Sequence, residues 1–319
     1  MRLYTLDPDT TLAPSLAAAL DEAPAGFEDR VFDDGEHKWR PTSDPRGQDV
    51  YLLAPLYGDT DASPHDRLVR LLSMCATLQA HGAARVTALV SFLAYARKDE
   101  RTQPWDPLGP QLLARLLEAA GCAQAVVLEP HNPAAVENAF RIPLWALDAA
   151  PLFDRWAAER AGAGPLVVAS PDPGGVKRVL RWRERLEAQL CRAVGFAMVD
   201  KRRSLGVLSG GHLVAGDVAG ATVLLRDDLV ATGHTLAQAA AALKHAGAAA
   251  VHACAAHGLF VGDADRVLAH SALDSFAVSD GVPPWRLPPA CAAAARMTVL
   301  PAAPLLAAAV RDLRDSWAR

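Results

Sequence analysis

The sequence contains no pair of cysteines at the spacing of a metal or redox motif. Its five cysteines, Cys75, Cys122, Cys191, Cys254 and Cys291, are scattered and odd in number. That usage excludes a disulfide-framed secreted scaffold and a CxxC site, and it fits reduced thiols in a cytoplasmic protein. Long apolar runs are also missing. The alanine-rich stretches are short and broken by Asp, Lys, His or Pro, so none reads as a membrane span. Met1–Asp9 carries early charges without the apolar core of a secretory leader. A net charge of −4 gives no electrostatic footprint of a nucleic-acid binder. No GxxxxGKS/T, no GxGxxG after a strand and no GxSxG occurs. P-loop kinases, dinucleotide enzymes and nucleophile-elbow hydrolases therefore lack their main signal.

What the chain does have is length and apolar content. Its 319 residues, 51% hydrophobic and 21% charged, suffice for two ordinary domains with substantial cores. Apolar runs at Val50–Leu53, Val86–Val90, Ala125–Leu128, Leu166–Ala169, Gly195–Val199, Ala221–Leu225 and Ala249–Ala255 read as strands. Helical periodicity covers Leu12–Leu20, Arg67–His81, Pro110–Ala120, Phe153–Ala161, Arg181–Leu190, Leu236–Ala246 and Ala303–Trp317. Strand–helix alternation implies βαβ units and mainly parallel sheets flanked by helices. The pattern runs twice, across a joint near residue 145. We expect domains at 1–145 and 146–300, with 301–319 a C-terminal helix that packs back on the first domain. Residues 1–60 are the least regular, with a solvated hairpin turn around Val31–Lys38.

In such sheets, ligands collect where the strands end, and the charged segments of this chain fall there. Ala221–Leu225 runs into Asp227 and Asp228, then into Thr232, Gly233, His234 and Thr235 at the start of a helix. Acids followed by a hydroxyl and glycine turn into a helix suit a sugar phosphate. Turn N–H groups and the helix N-terminus take the phosphate, while the acids face sugar hydroxyls and bound Mg²⁺. His131 and Asp172 each follow a strand, one in each half, and could jointly hold a divalent ion. Arg97, Lys98 and Asp99 form a dense charged run suited to phosphate and metal-water contacts. Lys201 and Arg203, two apart on an extended segment, point the same way. Beside the small, glycine-containing and mobile stretch Ser204–Gly211, they could stabilise a transferring phosphoryl group.

The order of these motifs resembles the ribose-phosphate pyrophosphokinase (phosphoribosyl-pyrophosphate synthetase) family from about Val31 to the last helix. Phe32, Asp34 and Glu36 match a family cluster, and Arg46-Gly47-Gln48-Asp49-Val50-Tyr51 matches its strand entry. Tyr95-Ala96-Arg97-Lys98-Asp99 follows the family's Tyr-Ala-Arg-Gln-Asp. Ser170-Pro171-Asp172-Pro173-Gly174-Gly175-Val176-Lys177-Arg178, Asp200-Lys201-Arg202-Arg203 and His257-Gly258-Leu259-Phe260 also fit. The resemblance implies an α/β fold of two tandem type I phosphoribosyltransferase-like domains, with ATP on the first and ribose 5-phosphate on the second. It implies pyrophosphoryl transfer from ATP to ribose 5-phosphate, and a homo-oligomer in which Phe32, Asp34 and Glu36 reach the adenine of a neighbouring subunit. Arg97, Lys98, Asp99 and His131 would contact ATP, with His131 and Asp172 on Mg²⁺. Lys201 and Arg203 would serve the transition state, and Asp227, Asp228, Thr232, Gly233, His234 and Thr235 would hold ribose 5-phosphate.

The chain departs from the family pattern at Ala231, where a third acid is usual, at the Thr232-Gly233-His234-Thr235 ending, and at Glu129-Pro130 before His131. Two other readings remain on the residues alone. One is a non-catalytic regulatory homologue. The other is a base phosphoribosyltransferase, which the Thr-Gly-x-Thr ending resembles.

Overall fold

The computed structural model describes residues 1–7, 10–204 and 207–317; for residues 201–204, 207–212 and 316–317 it describes the backbone alone. The chain divides into two compact units, Met1–Asp148 with Pro301–Arg319, and Ala149–Leu300.

In the first unit the elements run β1 (Arg2–Thr5), α1 (Leu12–Leu20), β2 (Pro24–Ala25), β3 (Phe27–Val31), β4 (His37–Pro41), β5 (Asp49–Leu53), α2 (Pro64–Ala80), β6 (Arg85–Val90), α3 (Gly109–Ala119), β7 (Gln124–Leu128), α4 (Pro133–Ala139) and β8 (Leu144–Leu147). Among the described residues these build a six-stranded sheet in the order β2-β1-β5-β6-β7-β8, with every pair parallel. Its central strands are near-continuous apolar runs because helices cover both faces. Val50 to Leu53, Val86 to Val90 and Ala125 to Leu128 are almost all buried. Local chemistry sets the helix starts. Ser63 and Asp66 form a reciprocal capping box at the head of α2, with Pro64 at its first position. The irregular start of the chain supplies β1, which pairs with β5 in the register Tyr4↔Leu52. With Arg2 and Thr5 at its ends, β1 shows no continuous apolar run by which a strand is read. β3 and β4 form a separate antiparallel hairpin around the Val31–Lys38 turn.

The second unit contains α5 (Ala150–Arg160), β9 (Leu166–Ser170), a 3-10 turn at Pro173–Gly175, α6 (Val176–Leu190), β10 (Gly195–Ser204), β11 (Val207–Ala215), β12 (Thr222–Val230), α7 (His234–His245), β13 (Ala250–Gly258), α8 (Ala264–Ala269), β14 (Ser275–Ser279), a second 3-10 turn at Ala294–Arg296 and β15 (Met297–Leu300). Its seven-stranded sheet, counted on the described residues, has the order β11-β10-β9-β12-β13-β14-β15. Only the β10–β11 pair is antiparallel. Val167, Val223, Leu225, Val251 and Ala253 from this sheet pack on Leu236, Ala239 and Leu243 of α7. The last helix, α9 (Ala303–Trp317), belongs to the first unit, where Arg311 donates to the Ala19 carbonyl of α1.

Three expectations change. The strand expected to stop at Leu225 continues through Val230, so Asp227 and Asp228 lie within β12. The parallel ladder persists through Asp227↔Ala255 and Val230↔Gly258. Ladder hydrogen bonds need only backbone groups, so polar side chains do not end the strand. Next, the described part of Ser204–Gly211, Ser204 and residues 207–211, lies in strands, Ser204 ending β10 and 207–211 opening β11. β11 pairs with β10, with a register shift between Lys201 and Arg203. Finally, α6 starts at Val176, five residues before the apolar periodicity is visible. No described helix is long and apolar enough to cross a membrane.

Candidate active site

In the second unit, β9 ends at Ser170 and the chain turns at once into α6. The Ser170 hydroxyl donates to the Asp172 carbonyl at 2.6 Å, and Asp172 Oδ1 accepts from the Gly175 N–H at 3.2 Å. A Cβ on Gly175 would stand 2.6 Å from Ser170 Oγ, so the turn closes only around glycine. This turn fixes Asp172 and starts α6, whose first turn carries Arg178. Arg178 Nη1 lies 3.8 Å from Asp228 Oδ1, both side chains being largely buried. Beneath them, the wholly buried Arg226 donates to the Arg178 carbonyl at 3.5 Å and stands 5.7 Å over the Trp182 ring.

Asp227 and Asp228 are side by side on β12, and the Asp228 N–H donates to Asp227 Oδ1 at 2.9 Å. Burial, followed by the charge of Asp228 and its hydrogen bond, pushes the Asp227 carboxyl well above the usual range; Arg178 opposes that rise and Asp172 adds to it. Asp172, Arg178, Asp227 and Asp228 therefore form one electrostatic group. Carboxylates crowded in this way favour a proton or a cation. Among the described residues no group of three or more His, Cys, Asp or Glu is gathered to cage a metal. Mg²⁺ bound by one or two side chains, with phosphate oxygens and waters completing its shell, fits such a donor set.

β12 leads directly into Thr232–Thr235. Leu259 and Phe260 donate their N–H groups to the Val230 carbonyl at 2.9 and 3.1 Å, and Val261 donates to Ala231 at 2.9 Å. The His257–Phe260 motif thus straps down the turn. Gly233 takes φ 79° at the head of α7, and His234 Nδ1 lies 3.1 Å from Thr232 Oγ1. The side chains of Lys201 and Arg203 lie outside the described residues; their backbone is part of β10.

In the first unit, Arg97, Lys98 and Asp99 follow β6. Arg97 is exposed. Lys98 Nζ lies 2.5 Å from Asp106 Oδ2 and donates to Thr102 Oγ1 at 2.8 Å. Asp106, whose carboxyl the Lys98 ammonium holds down at about 2, also accepts from the Thr102 and Gln103 N–H groups. Lys98 is thus engaged within its own loop. A Cβ on Gly109 would fall 1.7 Å from the Tyr95 carbonyl oxygen, so only glycine lets α3 approach this loop. Asp99 Oδ2 accepts from Asn132 Nδ2 at 2.7 Å. His131, next to Asn132, is exposed.

The β3–β4 hairpin presents Phe32, Asp34 and Glu36 to solvent. Its turn is tied by Phe32 N–H to Glu36 O at 2.8 Å and by Glu36 N–H to Asp34 Oδ1 at 3.1 Å. Arg70 of α2 holds the hairpin, pairing with Asp29 at 3.0 Å and standing 5.9 Å over the Trp39 ring. The Ser170–Arg178 motif contains Arg178 without revealing its partner, and nothing in the sequence marks Asn132 or Arg70. For Arg178 the available signal was its basic side chain three residues past a glycine turn facing an acid pair.

Two parallel sheets, one ending in an acid pair with a hydroxyl–glycine turn into a helix, define an α/β enzyme built from two phosphoribosyltransferase-like domains. Residues 1–121 match the N-terminal domain of ribose phosphate pyrophosphokinase, and residues 211–316 match a phosphoribosyl synthetase-associated domain. The ribose-phosphate pyrophosphokinase of Hyphomonas neptunium is 32% identical over 99% of this chain and 97% of its own. That of Granulibacter bethesdensis is 33% identical over the same shares. The crystal structure of phosphoribosylpyrophosphate synthetase from Mycobacterium smegmatis superposes with a TM-score of 0.85 at 29% identity, covering 99% of both chains. The chain belongs to the ribose-phosphate pyrophosphokinase family.

Proposed function

We propose that the protein transfers the β,γ-pyrophosphoryl group of ATP to the anomeric hydroxyl of ribose 5-phosphate. The sugar oxygen bonds to Pβ, the bond from Pβ to the α-phosphate oxygen breaks, AMP leaves, and the hydroxyl proton passes to solvent. The observation that carries this reading is the group formed by Asp172, Arg178, Asp227 and Asp228, followed directly by the Thr232–Thr235 turn into α7. Asp227 and Asp228 accept from the ribose hydroxyls. Thr232, Gly233, His234 and Thr235 offer N–H and hydroxyl donors to the 5-phosphate at the positive end of α7. Arg97 and Asp99 meet the ATP phosphates. Lys201 and Arg203 neutralise charge that develops in flight, which is most of what catalysis of phosphoryl transfer requires. His131 and Asp172 would hold Mg²⁺, which would supply charge neutralisation on the phosphate oxygens. The protein works in the cytoplasm as a homo-oligomer, with Phe32, Asp34 and Glu36 reaching the adenine bound to a neighbouring copy.

The test is ³¹P NMR of the protein with ATP, Mg²⁺ and ribose 5-phosphate, beside a control without sugar. AMP with a new pyrophosphoryl-sugar signal is the expected result. ADP would assign γ-phosphoryl transfer instead, and turnover equal in the control would remove the sugar as substrate.

A further inference from the structure

Two loops on the first unit carry the nucleotide-side residues: one after β6 with Arg97 and Asp99, one after β7 with His131. The Asn132 side chain joins them. Asn132 donates from Nδ2 to Asp99 Oδ2 at 2.7 Å, while its Oδ1 accepts from the Ala135 N–H at 3.2 Å and caps α4. Asn132 is extended, with φ −131°, and Pro133 takes the first helical position. The cap fixes the amide plane, so its nitrogen is aimed by the helix it starts.

Both loops contain a residue that resists its own backbone. Glu129 leaves β7 at φ 40°, and Tyr95 holds φ 61° in the other loop. Left-handed conformations at non-glycine residues persist only where surroundings over-determine them. Tyr95 is held by its hydroxyl on His65 Nδ1 at the head of α2. Asp99 is reached by Asn132. An amide is suited to that contact: it orients a carboxylate without setting a cation against it, as the Lys98 ammonium is set against Asp106. With Oδ2 engaged by Asn132, Oδ1 is the acceptor left for a metal-bound water or a donor on the nucleotide.

Resting on the ATP reading above, we propose that Asn132 is a positioning residue of the nucleotide–metal half of the site. It sets the orientation of Asp99 and ties the Asp99 loop to the His131 loop, so that both address one Mg²⁺–triphosphate.

Asn132→Ser tests this, because serine keeps a capping oxygen but has no donor long enough to reach Asp99. Binding of Mg²⁺ with α,β-methylene-ATP is measured by calorimetry, together with both KM values, kcat and the thermal midpoint. Loss of a charge-assisted hydrogen bond predicts nucleotide binding weaker by about tenfold, with KM for ATP rising in step. KM for ribose 5-phosphate, kcat and the midpoint stay at parent values. Asn132→Ala shows the same binding loss with a lowered midpoint. In an Asp99→Ala background, Asn132→Ser adds no further loss. Parent-like nucleotide binding by Asn132→Ser, or losses at the two positions that multiply, would overturn the proposal. A parent protein that fails to bind the Mg²⁺–nucleotide at all would sink the ATP reading and this inference with it.

Discussion

The backbone N–H of Asp228 donates to Oδ1 of Asp227 at 2.9 Å, locking two consecutive carboxylates at the end of β12 into one unit. Burial and the Asp228 charge raise the Asp227 carboxyl well above its ordinary value, which is about 3.9 in the unfolded chain. The folded protein therefore binds this proton more tightly than the unfolded chain does. Stability is greatest below the ordinary value and falls as pH rises toward the raised one. Asp227→Asn removes that loss. We expect the variant to melt at a higher temperature than the parent at pH 7.5, with the gap closing below about pH 3.5, while ribose 5-phosphate binding collapses. Scanning calorimetry at the two pH values, with sugar-phosphate titrations, makes the check. An unchanged melt at pH 7.5 would mean that Asp227 is not strained by its charge.

Lys98 stands where the family places glutamine. Its ammonium is spent on Asp106 and Thr102, whereas Arg97 is exposed. Lys98→Gln should leave KM for ATP within about twofold of the parent, because an exposed pair contributes little. Arg97→Ala should raise it by about tenfold or more if its guanidinium binds phosphate. Steady-state kinetics on both variants separates the roles. A Lys98 effect as large as that of Arg97 would mean the loop re-arranges when ATP binds.

The α/β class and the repeated pattern were legible because parallel strands buried on both faces are plain apolar runs, as at Val86–Val90 and Leu166–Ala169. Signals failed where backbone pairing outruns side-chain chemistry. β12 continues through two acids because β13 lies alongside it, and hydropathy does not report a neighbour. Arg178 and Asp228 are far apart in the sequence, and their pairing is set by the turn at Gly175 that starts α6. Lys98 reads as a ligand because proximity to Arg97 is visible in the sequence, whereas its capture by Asp106 depends on a closed loop. Asn132 carries no motif at all; its bond to Asp99 crosses 33 residues.

Arg67 is the largest buried charge in the first unit. It is 7% exposed, pairs with Asp7 at 2.8 Å and with Asp59, and stands 4.5 Å over the Tyr57 ring. Removing one member of such a group leaves carboxylates buried without a cation. Arg67→Met should cost about 3–5 kcal/mol, read as a lower urea midpoint. The pH dependence adds a second check. Burial would raise the Asp59 carboxyl, but the Ala62 and Asp61 amides and Arg67 outweigh it and hold the carboxyl low. Its contribution is present at neutral pH and lost as pH falls below the ordinary Asp value toward the depressed one. That acid loss should shrink in Arg67→Met. An equal loss in variant and parent would remove Arg67 as a source of the Asp59 shift.

Gly233 ties the Thr232–Thr235 turn to the body of the second unit by having no side chain. Its φ is 79°, and a Cβ there would stand 2.9 Å from Cγ of the wholly buried Leu268. Gly233→Ala thus meets two obstacles, a left-handed backbone and a packed neighbour. The backbone alone costs about 1 kcal/mol or more. Leu268→Ala in the same chain relieves the contact but not the conformation. We expect Gly233→Ala to raise KM for ribose 5-phosphate strongly, with KM for ATP little changed, and the Leu268→Ala double variant to recover only part of the sugar affinity. Full recovery would assign the effect to packing alone. No effect on the sugar KM would mean that the N–H groups of Gly233 and His234 do not bind the 5-phosphate, and the sugar phosphate would then have to be held by the threonine side chains.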